Sequence, residues 1–225
     1  MTKTNQQKVK DFLINNGVII FTKNNFMNIL MNMSSRLVIA LGIAGCVITA
    51  GCDLSAGRMI GFGACISGML LQRMDYSGKF FPDMQPLNVF VVALIAMLVC
   101  AAFGTVTGFF IAYLNVPPFI ATLAMMEIVY GIGLIVTNAT PLGGYVEQYT
   151  NVSNGKFLGI NYLIWIAIIV AAITWFIFNM TRHGKYMYAI GGNPQAAEVA
   201  GVPVKATLIL IYMKAAAMYG LAGFM

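Results

Sequence analysis

Charged side chains are scarce in this sequence. Only 9% of the 225 residues are Asp, Glu, Lys or Arg, whereas 60% are hydrophobic. A soluble domain usually carries about 25% charged residues, because its folded surface must be covered with polar groups. The composition therefore excludes an ordinary soluble domain and predicts an integral membrane protein.

The residue types that build metal and redox sites are also few. The chain has one histidine, His183, and its four cysteines form no C-x-x-C pair. The cysteines lie in or beside apolar runs, where a thiol acts most simply as a small apolar packing group; they are Cys46, Cys52, Cys65 and Cys100. We therefore expect no metal site, no cofactor and no redox role.

Motifs for catalysis and nucleotide binding are missing. Gly-Lys occurs only before Phe or Tyr, so the chain lacks the Gly-x-x-x-x-Gly-Lys-[Ser/Thr] loop that binds nucleotide phosphates. It also lacks the Gly-x-Ser-x-Gly elbow of many hydrolases. The net charge of +6 is spread over the tail and loops instead of forming a basic patch with interleaved aromatics. We expect neither an enzyme with catalytic residues nor a nucleic-acid-binding protein.

What the sequence does contain is a series of apolar segments. About twenty helical residues, at ~1.5 Å each, cross a hydrocarbon core of ~30 Å. The second segment is short, the first is long enough only if residues 32–36 are included, and two glycines, Gly131 and Gly133, interrupt the fourth. The segments lie at Leu37–Cys52, Met59–Leu71, Leu87–Leu114, Pro117–Thr137, Ile160–Asn179 and Ala206–Met225. They predict an all-α fold, a polytopic transmembrane helical bundle with short broken helices that is surrounded by membrane lipid.

Two polar interruptions separate neighbouring apolar segments. Gly51–Gly57 contains Asp53 and Ser55, either of which can cap the helix that follows, and Asn115–Phe119 contains two prolines. Broken helices in a membrane often mark a transport pathway, because irregular backbone at that depth must line protein or water. The alternative is that both are plain turns at the membrane surface.

Small residues one helical turn apart predict close packing between helices. Gly57 and Gly61 form one such pair, and Gly104 and Gly108 form another. Each pair would let a neighbouring backbone approach closely.

Two further charges lie within apolar segments. Glu127 is costly there unless it is paired or faces the bundle interior. A second hypothesis follows from it, a self-contained secondary transporter that uses Asp53 or Glu127 as an ion site. Lys214 lies midway along the last segment, where it is either functional or no longer under functional constraint.

A polar segment at about residues 181–205 separates the last two apolar segments. It carries Arg182, Lys185 and Lys205, so the positive-inside rule predicts that it is cytoplasmic. A membrane protein with no soluble partner needs no such segment. It is either a docking element or an ordinary interfacial loop.

One short helix is expected inside this segment. Asn193 is a natural N-cap, Pro194 fits the first helical position, and Gly201 can follow the end of the helix. Three alanines would give the helix a small-residue face against which a partner can pack: Ala196, Ala197 and Ala200.

Several stretches occur in an order and approximate spacing typical of one transporter family. They are Leu41–Gly45 followed by Asp53–Arg58, then Ala112–Leu123 with Val129–Gly131, and finally Ala189–Gly201. Together they resemble bacterial sugar ABC-transporter permeases of the ribose, arabinose and branched-chain amino acid type, and most closely the galactose/methyl-galactoside members.

This resemblance implies functions for particular residues. Coupling to an ABC ATPase subunit would involve Gly191, Gly192, Asn193, Pro194, Ala196, Ala197 and Gly201. The translocation pathway would lie near Asp53, Ser55, Gly57, Pro117, Pro118, Phe119 and Thr122.

The resemblance also implies a function and a set of partners. The chain would be a transport subunit of a sugar importer in the bacterial inner (plasma) membrane, with ATP hydrolysed by the partner ATPase. A periplasmic sugar-binding protein would deliver the sugar, and a second permease chain would complete the pore as a homodimer.

The chain departs from the family pattern at both ends. Family members have a full first span before the region of Leu37 and continue beyond residue 225. We therefore expect residues 1–35 to be a cytoplasmic tail with a degraded first span, and residues 36–225 to be a partial permease transmembrane domain. A third hypothesis is a shortened copy that no longer transports.

Overall fold

Helices form nearly all of the protein. The computed structural model describes residues 23–225. In chain order the elements are α1 (Lys23–Ile48), α2 (Ala56–Leu70), α3 (Val89–Tyr113), α4 (Pro118–Thr137), α5 (Glu147–Asn154), β1 (Lys156–Phe157), β2 (Ile160–Asn161), α6 (Tyr162–Met180), α7 (Arg182–Gly192), α8 (Pro194–Val199) and α9 (Val204–Phe224). Among these residues, five helices are long and apolar enough to cross a membrane, and α2 is a shorter apolar helix. The predicted all-α polytopic membrane protein is confirmed.

Helix α9 is the centre of the bundle. Half of it is buried inside the protein, whereas the other candidate spans are 17–28% buried. Its most extensive contacts are with α3, which runs antiparallel to it: Gly104 lies beside Tyr212, and Gly220 lies beside Ala96. Helices α1 and α2 pack on its other sides. The last apolar segment is therefore the core around which the other helices are arranged.

Glycine makes the contact between α3 and α9 possible. A Cβ added to Gly104 would overlap the carbonyl oxygen of Tyr212, and one added to Gly108 would lie 2.7 Å from the Cα of Ile209. The predicted close packing of this pair is confirmed. The same prediction for Gly57 and Gly61 is not met among the described residues, where an added Cβ at either would meet nothing within 4 Å.

The first helix is longer than the apolar segment that predicts it. Helix α1 begins at Lys23 and passes without interruption through the proposed boundary between residues 35 and 36. Polar side chains lower the hydropathy of its first half but do not break the helix. Ser34, for example, donates to the carbonyl oxygen of Leu30 at 2.7 Å and so satisfies its hydroxyl within the helix. Residues 1–22, which belong to the predicted tail, lie outside the described residues.

Helix α4 is continuous, so the predicted interruption at Gly131 and Gly133 is wrong. A glycine within a helix costs only about 1 kcal/mol relative to alanine, and the apolar residues around these two are enough to maintain the helix. Helix α4 ends at Thr137, and the C-cap residue that follows, Asn138, adopts the left-handed conformation with φ of 51°.

A small cap made of α5 and the β1–β2 hairpin covers one end of the bundle. Tyr149 of this cap donates to the carbonyl oxygen of Phe224, at the end of α9, with a distance of 2.8 Å. Burial raises the pKa of Tyr149 to about 12, so the hydroxyl keeps its proton and remains a donor at neutral pH. Helix α6 separates this cap from α7 and α8, which therefore lie at the opposite end of the bundle.

Candidate functional site

The two breaks predicted from the sequence lie side by side. One separates α1 from α2 and the other separates α3 from α4. A Cβ added to Gly51 in the first break would lie 3.7 Å from the Cβ of Pro118, which follows the second. The Tyr212 hydroxyl of α9 donates to the carbonyl oxygen of Cys52 at 3.4 Å. The breaks and the central helix thus form one cluster.

Asp53 holds the first break in place. One oxygen of its carboxylate accepts hydrogen bonds from the backbone nitrogen and the hydroxyl of Ser55, at 2.9 and 2.6 Å. The other oxygen accepts from the hydroxyl of Tyr219 at 2.9 Å. Ser55 occupies the N-cap position of α2, but its side chain makes no capping bond. Asp53 is therefore the side chain that joins the break to α9.

The residues predicted at the second break divide between inward and outward positions. Pro117 precedes α4, and Pro118 begins it. Thr122 is fully buried and donates to the carbonyl oxygen of Pro118 at 2.8 Å, whereas Phe119 is exposed. With Asp53 and Ser55, Thr122 faces the bundle interior. Gly57 and Phe119 face outward, and the assignment of all these residues to a pathway stays a prediction.

Sequence reasoning missed Tyr212 and Tyr219. Both are almost completely buried, and their hydroxyls make the contacts that attach the first break to α9. A signal for them was present, because they lie about two helical turns apart on one face of the last apolar segment. A phenol buried in a span needs a hydrogen-bond partner, and Asp53 and the open backbone of the break supply it.

The predicted short helix in the polar segment is confirmed as α8. Asn193 caps it by accepting a hydrogen bond from the backbone nitrogen of Ala196 at 3.0 Å, and Pro194 occupies the first turn. Gly201 follows the helix with φ of 83°, a conformation that favours glycine. All of these features were read correctly from the sequence.

The first half of the same segment is not a loop, as predicted, but the helix α7. Thr181 begins it by accepting a hydrogen bond from the backbone nitrogen of Gly184 at 3.3 Å. The glycines of α7 made it hard to predict from the sequence, because glycine has a low helix propensity. In the structure, Gly184 lets α7 fold back on the end of α6, where an added Cβ would overlap the carbonyl oxygen of Phe178.

Helix α8 has one buried and one exposed side. Ala197 is buried against the protein, whereas Ala196 and Ala200 are exposed. Val199 is 92% exposed. A β-branched apolar side chain with this exposure, at a polar end of the bundle, is available to a partner protein.

Helix α7 connects α8 to the first break. Met187 and Ile190 anchor α7 in the protein, with exposures of 0% and 1%. At its end, Gly191 lies so close to the last turn of α1 that an added Cβ would overlap the carbonyl oxygen of Ile48. Gly192, the next residue, has open space around it. Helix α7 therefore lies between α8 and the end of α1, where the break begins.

Two buried polar atoms lie near the start of α7. The Nε2 atom of His183 and the Nζ atom of Lys214 have no hydrogen-bond partner among the described residues. Burial, together with the nearby Lys214 cation, lowers the pKa of His183 to about 4, so the imidazole is neutral at physiological pH. Lys214 extends from the middle of α9 to a point 5.8 Å from the ring centre of Phe178.

Among the described residues, no group of three or more His, Cys, Asp or Glu side chains is arranged to hold a metal ion. The chemistry of the site is therefore that of helix breaks, buried hydroxyls and one carboxylate.

The chain is similar to bacterial import permeases. The galactose/methyl galactoside import permease protein MglC of Haemophilus influenzae is 43% identical over 208 residues, which are 89% of this chain and 62% of that protein. MglC of Escherichia coli is 40% identical over 222 residues, 93% of this chain and 66% of that protein. The ribose import permease protein RbsC of Escherichia coli is 31% identical over 207 residues, 90% of this chain and 61% of that protein.

The chain therefore spans 61–66% of the length of these relatives. No solved structure matches it. The hypothesis of a self-contained secondary transporter finds no support, because these relatives are named as import permeases. The family described as branched-chain amino acid transport system / permease component matches residues 25–225, and the chain belongs to this family.

Proposed function

We propose that the chain is the membrane-spanning permease subunit of an ATP-driven sugar importer in the bacterial inner membrane. The observation that carries the proposal is the connection of α8, through Gly191 of α7, to the break that follows α1. A soluble partner that binds α8 therefore contacts a segment that is connected, through α7, to the break within the membrane. The similarity to permeases named for galactose/methyl galactoside and ribose import supports it.

The coupling mechanism follows from these contacts. An ABC ATPase binds the exposed side of α8, which includes Val199. The ATPase hydrolyses ATP in its own chain. Movement of α8 is carried by α7 to the carbonyl end of α1 at Ile48. From there it reaches Asp53, whose bond to Tyr219 holds the break against α9. Breaking and remaking this bond alternates access to the two sides of the membrane.

The substrate is a sugar of the galactose or methyl-galactoside kind. A periplasmic sugar-binding protein delivers it, and a second copy of the permease completes the pore. Lipid surrounds the outer faces of the bundle, where many large apolar side chains are exposed. The polar segment that contains α7 and α8 faces the cytoplasm, as the charges of Arg182, Lys185 and Lys205 predict.

Replacing Val199 by aspartate is expected to weaken binding of the ATPase about tenfold or more. A charge introduced at the centre of a desolvated contact costs at least ~2 kcal/mol, and each 1.4 kcal/mol is a factor of ten. The measurement is the amount of galactose/methyl-galactoside importer ATPase that co-purifies with the full chain after co-expression.

Leu158→Asp is the matched control, because Leu158 is 79% exposed in the β1–β2 hairpin at the opposite end of the bundle. It should leave co-purification unchanged. Wild-type binding by the Val199→Asp variant would show that coupling does not run through α8.

A further inference from the structure

Lys214 carries a buried ammonium group for which the described residues supply no partner. Its Nζ atom is shielded from solvent and makes no hydrogen bond with any of them. Lys214 belongs to α9, the candidate span that is most deeply buried in the bundle. A charge taken out of water is stable only when an opposite charge or several hydrogen bonds compensate it. Lys214 therefore needs a compensating group.

No carboxylate of the described residues supplies this compensation. The only ion pair among them joins Arg73 to Asp75. Asp53 also contacts α9, but its carboxylate accepts a hydrogen bond from the hydroxyl of Tyr219. Tyr219 lies five residues after Lys214, so the two side chains leave α9 on different sides of the helix. The missing negative charge must come from another source.

The Lys214 side chain extends toward the polar end of the bundle. Its Nζ atom lies 5.8 Å from the ring centre of Phe178, which is two residues before the end of α6. His183, at the start of α7, is close enough for the Lys214 cation to contribute to its low pKa of about 4. The imidazole is neutral and does not balance the lysine. Because the ammonium group lies near an aqueous face, an ion can reach it without crossing the bilayer.

A small cavity adjoins Lys214 between α1, α6 and α9. Its volume is about 20 Å³, and one water molecule needs roughly 10–15 Å³. Lys214 is the only charged residue among the described residues that line it. The hydroxyl of Thr174, which also lines it, donates to the carbonyl oxygen of Val170. The rest of the lining is glycine and apolar side chains, which include Phe178 and Met187. Such a cavity accepts one small particle and excludes phosphate, sulfate and organic acids.

The charge and the size of the site match a monovalent halide. A water molecule can accept a hydrogen bond from the ammonium group, but it leaves the positive charge unbalanced. A chloride ion is only slightly larger than water and carries the missing negative charge. We propose that Lys214 binds a chloride ion in the cavity between α1, α6 and α9. The ion balances the ammonium group and stabilises the packing of these three helices.

Thermal unfolding of the full chain in lipid nanodiscs tests for the ion. Sodium chloride is compared with sodium gluconate at equal ionic strength, because gluconate is too large for the cavity. Chloride at ten times its dissociation constant, which a titration supplies, should favour the folded state about elevenfold. For a chain of this size, the unfolding midpoint should then rise by about 3–6 °C. Equal midpoints in the two salts would overturn the proposal, since Lys214 would then be neutral or bound only to water.

Lys214→Met should abolish the difference between chloride and gluconate, because methionine is uncharged and flexible enough to fill the same space. Lys185→Met is the matched control, since Lys185 is an exposed lysine on α7 and its loss should leave the difference intact. A chloride effect that persists unchanged in Lys214→Met would contradict the proposed site.

Bromide-soaked crystals of the wild-type chain give a second measurement that does not depend on how a variant folds. An anomalous bromide peak in contact with the Nζ atom of Lys214 is the expected result. A cavity without bromide would overturn the proposal.

Discussion

Gly104→Leu is expected to prevent the protein from accumulating in folded form. Any Cβ at this position overlaps the carbonyl oxygen of Tyr212 and lies 2.5 Å from the Cβ of Ala216. A leucine side chain would have to separate α3 from α9, which form the most extensive helix contact in the protein. We expect a cost above about 4 kcal/mol, at the upper limit for single substitutions.

A loss of this size approaches the whole stability of a typical domain, which is about 5–15 kcal/mol. The measurement is the monodisperse fraction of detergent-solubilised protein in size-exclusion chromatography, which should fall several-fold, because a marginally stable protein is lost to aggregation and proteolysis. Gly61→Leu is the control, because an added Cβ there meets nothing within 4 Å. It should accumulate as wild type does. A Gly104→Leu variant with a normal elution profile would show that α3 and α9 are not packed as described.

Gly191→Val is expected to separate α7 from the end of α1 while leaving the bundle folded. The added side chain would overlap the carbonyl oxygen of Ile48. Overpacking of this kind costs about 1–3 kcal/mol. For a chain of this size, a loss of 1 kcal/mol lowers the unfolding midpoint by about 2–4 °C. The midpoint in detergent should therefore fall by about 2–12 °C.

The neighbouring Gly192→Val supplies the control, since Gly192 has no atom within 4 Å of an added Cβ. It should unfold near the wild-type temperature. The same pair also tests coupling: galactose-stimulated ATP hydrolysis by the assembled importer should be lost in Gly191→Val and kept in Gly192→Val. Equal behaviour of the two variants would remove Gly191 from the path between α8 and the break.

The fold was predictable because a membrane helix depends mainly on its own sequence. Apolar length alone located α3, α6 and α9 to within a few residues. Hydropathy gave the wrong helix bounds where a segment is helical without being apolar throughout. The first half of α1 is rich in Asn and Ser but remains helical, and Gly131 does not interrupt α4.

The candidate site was only partly predictable. Asn193, Pro194 and Gly201 define α8 because each acts through its own local backbone conformation. The contact of Asp53 with Tyr219 was not foreseen, because it joins residues that are distant in the sequence and depends on how α9 packs. The two glycine pairs could not be told apart for the same reason: α9 packs against Gly104 and Gly108, whereas none of the described residues packs against Gly57 and Gly61. Spacing shows that a helix can be approached closely, but only the tertiary structure shows whether another helix is there.

The orientation of α8 is the claim on which the coupling mechanism depends most directly. It is tested with a membrane-impermeant maleimide on intact spheroplasts that express the full chain. Val199→Cys and Leu158→Cys are compared in a background in which Cys52 and Cys65 are replaced by alanine. We predict that Leu158→Cys is labelled in intact spheroplasts and that Val199→Cys is labelled only after the membrane is permeabilised. Labelling of Val199→Cys in intact spheroplasts would place α8 outside the cell and contradict its role as the ATPase docking element.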